Sequence, residues 1–238
     1  MNPARAVRPT PPEAPDERTN RREYEERTGL LARIAACYPP VPRVYSLLRF
    51  TIIRARILGV MDVLLPERGS ILELGCGFGL FAGYFAASSR ERTLFGVDRN
   101  EKRIQMARDM ASRMDLPARF EVADVRELPE TQTFDAAYAL DVLHHVPYDA
   151  HRTVLEDLHR RLKPGATLLV KDITTFPAHK LGFTWLLDRV MAPEDQLSYR
   201  HHEDWATLLR EVGFDVRIRH LDDYLPYPHV LLICTRRP

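Results

Sequence analysis

Lysine is nearly missing from this chain: four of its 34 basic residues are Lys and the other 30 are Arg. That bias points to a G+C-rich, bacterial genome rather than to a binding partner. An excess of one charge is missing too. The 34 basic residues face 33 acidic ones, a net charge of +1, which leaves no electrostatic case for a nucleic-acid partner. Cysteine is scarce. Cys37, Cys76 and Cys234 are odd in number and lack metal-like spacing, which argues against a disulfide framework and fits thiols in a reducing, cytoplasmic setting. Long hydrophobic runs are lacking as well. The longest uncharged stretch, Leu74 to Ser89, is broken by glycines and falls short of a transmembrane span. Met1 to Arg22 has no apolar segment of the kind a signal peptide needs.

What the chain has is enough apolar material for one core: 238 residues, 45% of them hydrophobic. Residues 1–22 are rich in Pro, Arg and Glu and are expected to form a disordered tail. Residues 23–65 read as a helical extension. A first helix from about Glu23 to Cys37 shows Leu30, Leu31 and Ile34 on one face and stops at Pro39-Pro40. A second, from about Pro42 to Leu65, repeats Val44, Leu47, Leu48, Ile52, Leu58 and Met61 at helical spacing. Three readings of that helix stay open: packing on the main domain, a lid over a site, or peripheral contact with a membrane surface.

Residues 66–238 carry the main domain, organised around Ile71-Leu72-Glu73-Leu74-Gly75-Cys76-Gly77-Phe78-Gly79. A buried strand, Ser70 to Leu74, runs into a turn with glycine at every second position, and a helix follows at once. Such glycines permit positive φ and a close ligand approach, and the helix N-terminus offers free N–H groups to an anion. Thr93 to Val97 reads as the next strand, and Asp98 at its end can accept from both hydroxyls of a ribose. The dinucleotide fingerprint is G-x-G-x-x-G, whereas here the third glycine comes one position early and Leu80 takes its place.

The acid-x-G-x-G-x-G form, Glu73 to Gly79, resembles the first motif of class I S-adenosylmethionine (SAM) methyltransferases, and the resemblance extends over roughly Ile57 to Arg236. Strands at Ala118 to Ala123, Phe134 to Leu140 and Thr167 to Ile173 alternate with helices, one of them capped by Asn100. A last helix around Glu203 to Val212 precedes two strands, Phe214 to Leu221 and His229 to Thr235, with no helix between them. The expected fold is α/β: a Rossmann-like doubly wound sheet, mostly parallel, with an antiparallel C-terminal strand as in the methyltransferase sheet, plus the N-terminal helices.

The resemblance implies SAM as cofactor and assigns its contacts. Glu73, Gly75, Gly77 and Gly79 would line the methionine part, with Glu73 near its ammonium. Asp98 would hold the ribose hydroxyls and Arg99 would lie along the adenine. Asp124 would accept from the adenine amino group while the Val125 N–H faces a ring nitrogen, and the Leu140 carbonyl would meet the ammonium. Plainer roles stand beside these: Gly79 for helix–strand packing, Glu73 as a cap of the following turn, Asp124 as a turn residue before Val125-Arg126-Glu127. Asp141 and Asp172 end neighbouring strands, as do the magnesium ligands of the catechol branch. Here Ile173 stands where that branch has Asn, so no metal is expected.

Asp141-Val142-Leu143-His144-His145-Val146-Pro147 resembles the segment after the fourth strand in small-molecule methyltransferases, where the second His matches a common histidine. For a hydroxyl acceptor a base helps. The order of candidates is His145, then His144 and His202, with Tyr199 beside them in Tyr199-Arg200-His201-His202. The implied function is methyl transfer by in-line displacement to a small, partly apolar acceptor, with O-methylation favoured by the clustered His and Tyr. C- or N-methylation and non-catalytic SAM binding remain as alternatives. A nicotinamide oxidoreductase is disfavoured by the glycine spacing and the final strand pair. Nothing in the sequence sets the oligomeric state.

Overall fold

The computed structural model describes residues 17–177, 181–182, 185, 197–221 and 227–238, with side chains from residue 25 onward. Most of the expected tail lies outside these residues, but its last part does not: α1 spans Glu17–Ala36, beginning well before Glu23. The single long helix expected after it is two, α2 (Pro40–Ile52) and α3 (Ala55–Leu64). The break falls at Ile53, which leaves the helical conformation at ψ 84°, and at Arg54, which is extended. Thr51-Ile52-Ile53 is a run of β-branched residues with low helix propensity, and breaking there drops Ile53 fully into the core.

The alternating strands and helices follow the expected order: β1 (Gly69–Leu74), α4 (Leu80–Ser88), β2 (Arg92–Asp98), α5 (Glu101–Arg113), β3 (Ala118–Val122), β4 (Phe134–Leu140), α6 (His151–Arg161), β5 (Leu162–Ile173), α7 (His202–Val212), β6 (Phe214–His220) and β7 (His229–Arg236). Asn100 caps α5, its side chain accepting from the Arg103 N–H. Seven strands form one sheet in the order β3-β2-β1-β4-β5-β7-β6. β1 to β5 are parallel, and β7 inserts antiparallel between β5 and β6. The strand order reverses between β1 and β4, which puts the expected ligand crevice beyond the carboxyl ends of those two strands.

Each face of the sheet has its own core. On one, Leu72, Val97, Ala137, Ala139, Leu168 and Val170 pack against α6 and α7 through Leu155, Leu158, Trp205 and Leu209. On the other, Ile71, Tyr138, Leu169 and Leu231 pack against α4 and the three N-terminal helices through Phe85, Leu31, Ile34, Phe50, Ile53 and Leu58. α1 to α3 are therefore a layer of the core and not an appendage. Arg92 fixes them to the sheet, ion-pairing with Asp62 of α3 and donating to the Pro66 carbonyl at 2.7 Å. Burial pushes the Cys76 and Cys234 thiols above their ordinary range, as expected of packing residues. Among the described residues, no helix is long and apolar enough to cross a membrane.

Candidate active site

The glycine turn leaves β1 with Gly75, Gly77 and Gly79 at φ +67°, +53° and +75°. Two of them need glycine for different reasons. A Cβ on Gly75 would stand 2.2 Å from Val142 Cγ2, so the chain after β4 closes directly on the turn. A Cβ on Gly77 would meet nothing within 4 Å, so its positive φ exposes backbone to open space at the crevice. That is the cradle a close-fitting ligand requires. Gly79 packs tightly against Ala107 and Phe120, in keeping with the helix–strand role. The Asp98 carboxylate braces the turn, accepting from the Gly77 N–H and the Asn100 N–H, each at 2.9 Å. It stays part-exposed, with Arg99 exposed beside it.

Glu73 is turned under the turn rather than out over it. Its side chain is buried and accepts from the Ala82 N–H of α4 at 3.1 Å. Burial pushes its carboxyl up to about 8, against the lowering effects of Tyr138 and the Ala82 N–H, so it is protonated at neutral pH. This is the capping role. The sign of its pH linkage follows. With a folded value above the ordinary 4.5, its contribution to stability is complete at low pH and is lost as pH rises towards 8. Glu73→Gln keeps an accepting oxygen and the neutral form. It is expected to melt above the wild type by a margin that widens from pH 4.5 to about 8; parallel melting curves across that window would refute the buried neutral carboxyl.

Asp124 also takes its plainer role. It caps a 3-10 turn, Val125–Glu127, in a reciprocal box with Glu127, and Arg126 donates to both its carboxylate oxygens at 2.8 and 2.7 Å. That guanidinium holds the carboxyl below its usual range. The Val125 side chain is buried and its carbonyl accepts from Arg161 Nε at 3.0 Å. Leu140, also buried, ends β4 beside Lys171.

Beyond Leu140 the two acids find separate partners. Asp141 sits at φ +50°, a left-handed conformation that is uncommon for a non-glycine residue and often marks functional sites. Its carboxylate meets Lys171 Nζ at 2.5 Å and Arg49 Nη2 at 3.2 Å. Burial alone would raise its pKa, but the Lys171 ammonium and Arg49 guanidinium hold it far below the usual range. Arg49 belongs to α2, so the N-terminal layer touches the crevice. It does so again where the Tyr38 hydroxyl donates to the Phe78 carbonyl inside the glycine turn at 2.9 Å.

Asp172 instead faces His144. Its Oδ1 lies 2.5 Å from His144 Nδ1 and 2.7 Å from the Ile173 N–H, while Oδ2 accepts from the His144 N–H at 3.2 Å. Both side chains are buried. The Tyr199 ring stacks on His144 at 5.5 Å between centroids and 20°, and the His145 ring lies 4.2 Å away. The Ser198 N–H donates to the His144 carbonyl at 2.7 Å and ties that loop down. The structure thus brings together His144, His145 and Tyr199, but gives the carboxylate to His144, where the sequence puts His145 first. His202 is engaged elsewhere. Its Nδ1 is 2.9 Å from Thr174 Oγ1, and burial and then His201 and His220 lower its pKa. Arg49 and Lys171 are not among the candidates the sequence offers, and Asp172 enters there only as a possible metal ligand.

Residues 71–165, from β1 into β5, match the sequence model of the family described as "Methyltransferase domain". This domain belongs to the class I SAM-dependent methyltransferases. The 27-O-demethylrifamycin SV methyltransferase of Amycolatopsis mediterranei is 33% identical over 52% of this chain and 44% of its own length. A ubiquinone biosynthesis O-methyltransferase of Alkalilimnicola ehrlichii is 30% identical over 66% of this chain and 61% of its own. The chain thus spans about half the length of these relatives. Among solved structures, the SAM-dependent methyltransferase SibL covers 91% of this chain and 69% of its own at a TM-score of 0.66 and 20% identity, a likeness of fold. SAM is the cofactor of the family, and the open space over Gly77 beside the Asp98 carboxylate fits it.

Proposed function

We propose that the protein is a SAM-dependent O-methyltransferase acting on a small, partly apolar molecule with a hydroxyl group. The observation that carries this reading is the buried Asp172–His144 pair on the segment whose Val142 closes against Gly75. SAM, when bound, supplies a methyl group on a sulfonium for in-line displacement. Gly75, Gly77 and Asp98 would hold it, with Arg99, Val125 and Leu140 along the same crevice.

The chain's own part is to position, to dry and to take a proton. Asp172 accepts the Nδ1 proton of His144, which fixes the tautomer and leaves the electron pair on Nε2. A neutral imidazole so held can accept the acceptor's hydroxyl proton as the bond forms. Tyr199 and His145 wall that imidazole, and burial excludes the water that would compete with the acceptor. The names of both relatives specify O-methyl chemistry, which supports the same choice. A base would also serve transfer to carbon or nitrogen, so the O-methyl names of the two relatives are what favours oxygen.

The test is turnover with SAM against a panel of small phenols, hydroxy acids and matched amines, reading the demethylated cofactor. Product from hydroxyl acceptors alone is expected; product from amines alone would overturn the assignment. Asp98→Ala is expected to weaken cofactor binding about tenfold or more, since one hydrogen bond to a charged group is worth ~1.5–3 kcal/mol. An unchanged dissociation constant by calorimetry would remove Asp98 from the site.

A further inference from the structure

α2 is apolar on both sides. Its inner side, Ser46 and Phe50, is buried in the core, with Ile53 just beyond. Its outer side carries Val41, Val44, Leu47 and Leu48, exposed by 81%, 57%, 46% and 52%. Spacings of three, four and seven residues put these four on one outward face. Thr51 shares that face and its hydroxyl donates back to the Leu47 carbonyl at 3.0 Å, so no polar side chain interrupts the row with an outward hydrogen bond. An outward apolar row of this kind is best placed against another apolar phase.

The charge of this region is one-sided. From Tyr38 to Met61 the chain holds Arg43, Arg49, Arg54 and Arg56 and no Asp or Glu. Arg49 is committed to Asp141 and Arg43 donates to the Ala36 and Tyr38 carbonyls at 3.0 and 2.9 Å, while Arg56 is exposed. Two such faces brought together would oppose arginines without acids to answer them, which disfavours a second copy. The row also offers aliphatic area without hydrogen-bonding groups, which gives little to read in a specific protein surface. An anionic lipid surface suits both features, because it accepts aliphatic groups below and pairs cations at the headgroups. Later in the chain than β5, Phe176 and Trp185 are exposed by 63% and 47%.

We propose that α2 is an interfacial helix that docks the protein on an anionic membrane surface. Val41, Val44, Leu47 and Leu48 enter the boundary between headgroups and acyl chains, and Arg56 pairs with the headgroups. This inference is independent of the methyl-transfer reading and stands or falls without it.

The test is sedimentation of the full chain with vesicles of phosphatidylglycerol mixed with phosphatidylcholine, and with phosphatidylcholine alone. Binding to the anionic vesicles is expected, falling as salt rises. Val44→Glu with Leu48→Glu is expected to lower partitioning by about tenfold or more. Circular dichroism and melting temperature should stay unchanged, since both side chains face outward. Arg56→Glu should weaken binding and its salt dependence together. No pelleting with anionic vesicles at low salt would overturn the proposal, as would full binding by the double variant. A wild-type dimer that the double variant converts to monomer, with no vesicle binding by either, would assign the face to self-association instead.

Discussion

His144→Gln is expected to lower turnover by ~10²–10⁴-fold, the usual cost of losing a general base, while cofactor affinity stays within a few-fold. His145→Gln should cost far less, because His145 stands beside the pair and lacks the Asp172 carboxylate. Asp172→Asn tests the mechanism behind the difference. An amide can present its N–H to Nδ1, which favours the wrong tautomer and puts the proton on the nitrogen that should accept, so turnover should fall there too while the fold survives. The wild-type rate should decline as pH drops through the imidazole's titration, and the His144→Gln residual rate should lose that dependence. Turnover per folded molecule that is normal in His144→Gln, together with early melting, would show the pair to be structural.

What the sequence made legible is whatever is local in the chain. The glycine turn, Asp98 and the His144-His145 segment each declare themselves within a few residues, because turn chemistry and strand ends are written in adjacent positions. The insertion of β7 was legible from the missing helix between the last two strands. Glu73 shows the limit of a motif. Only the packing of α4 shows that its carboxyl accepts from the Ala82 N–H.

The partners of the two acids were not legible, since the sheet makes them neighbours. His144 and Asp172 are 28 positions apart, Asp141 and Lys171 are 30, and Arg49 and Asp141 are 92. Asp141 and Asp172 look alike in sequence, each an acid ending a strand. The structure separates them by partner: two cations on one, an imidazole on the other. The break between α2 and α3 is of the same kind. The apolar pattern carries on past Ile53, and the β-branched run became a break only where the core takes Ile53 in.

The same network gives the largest expected effect on stability. Lys171 is fully buried in β5, and burial lowers its pKa while Asp141 opposes the shift. Lys171→Met leaves the apolar stem in place and removes the charge, so Asp141 keeps only the more distant Arg49. Breaking one side of a buried pair costs ~3–5 kcal/mol, or roughly 6–20 °C in melting temperature for a chain of this size. Pairing Lys171→Met with Asp141→Asn removes both charges and should recover much of the loss. The pH dependence supplies the check on cause. Asp141's folded pKa lies below its ordinary 3.8, so its contribution is present above that value and is lost as pH falls through it towards the folded one. The gap between wild type and Lys171→Met should therefore narrow on acidification. A variant that melts within 2 °C of the wild type at neutral pH, or a gap that stays constant into the acid range, would show that the Lys171–Asp141 pair does not hold the end of β4 in place.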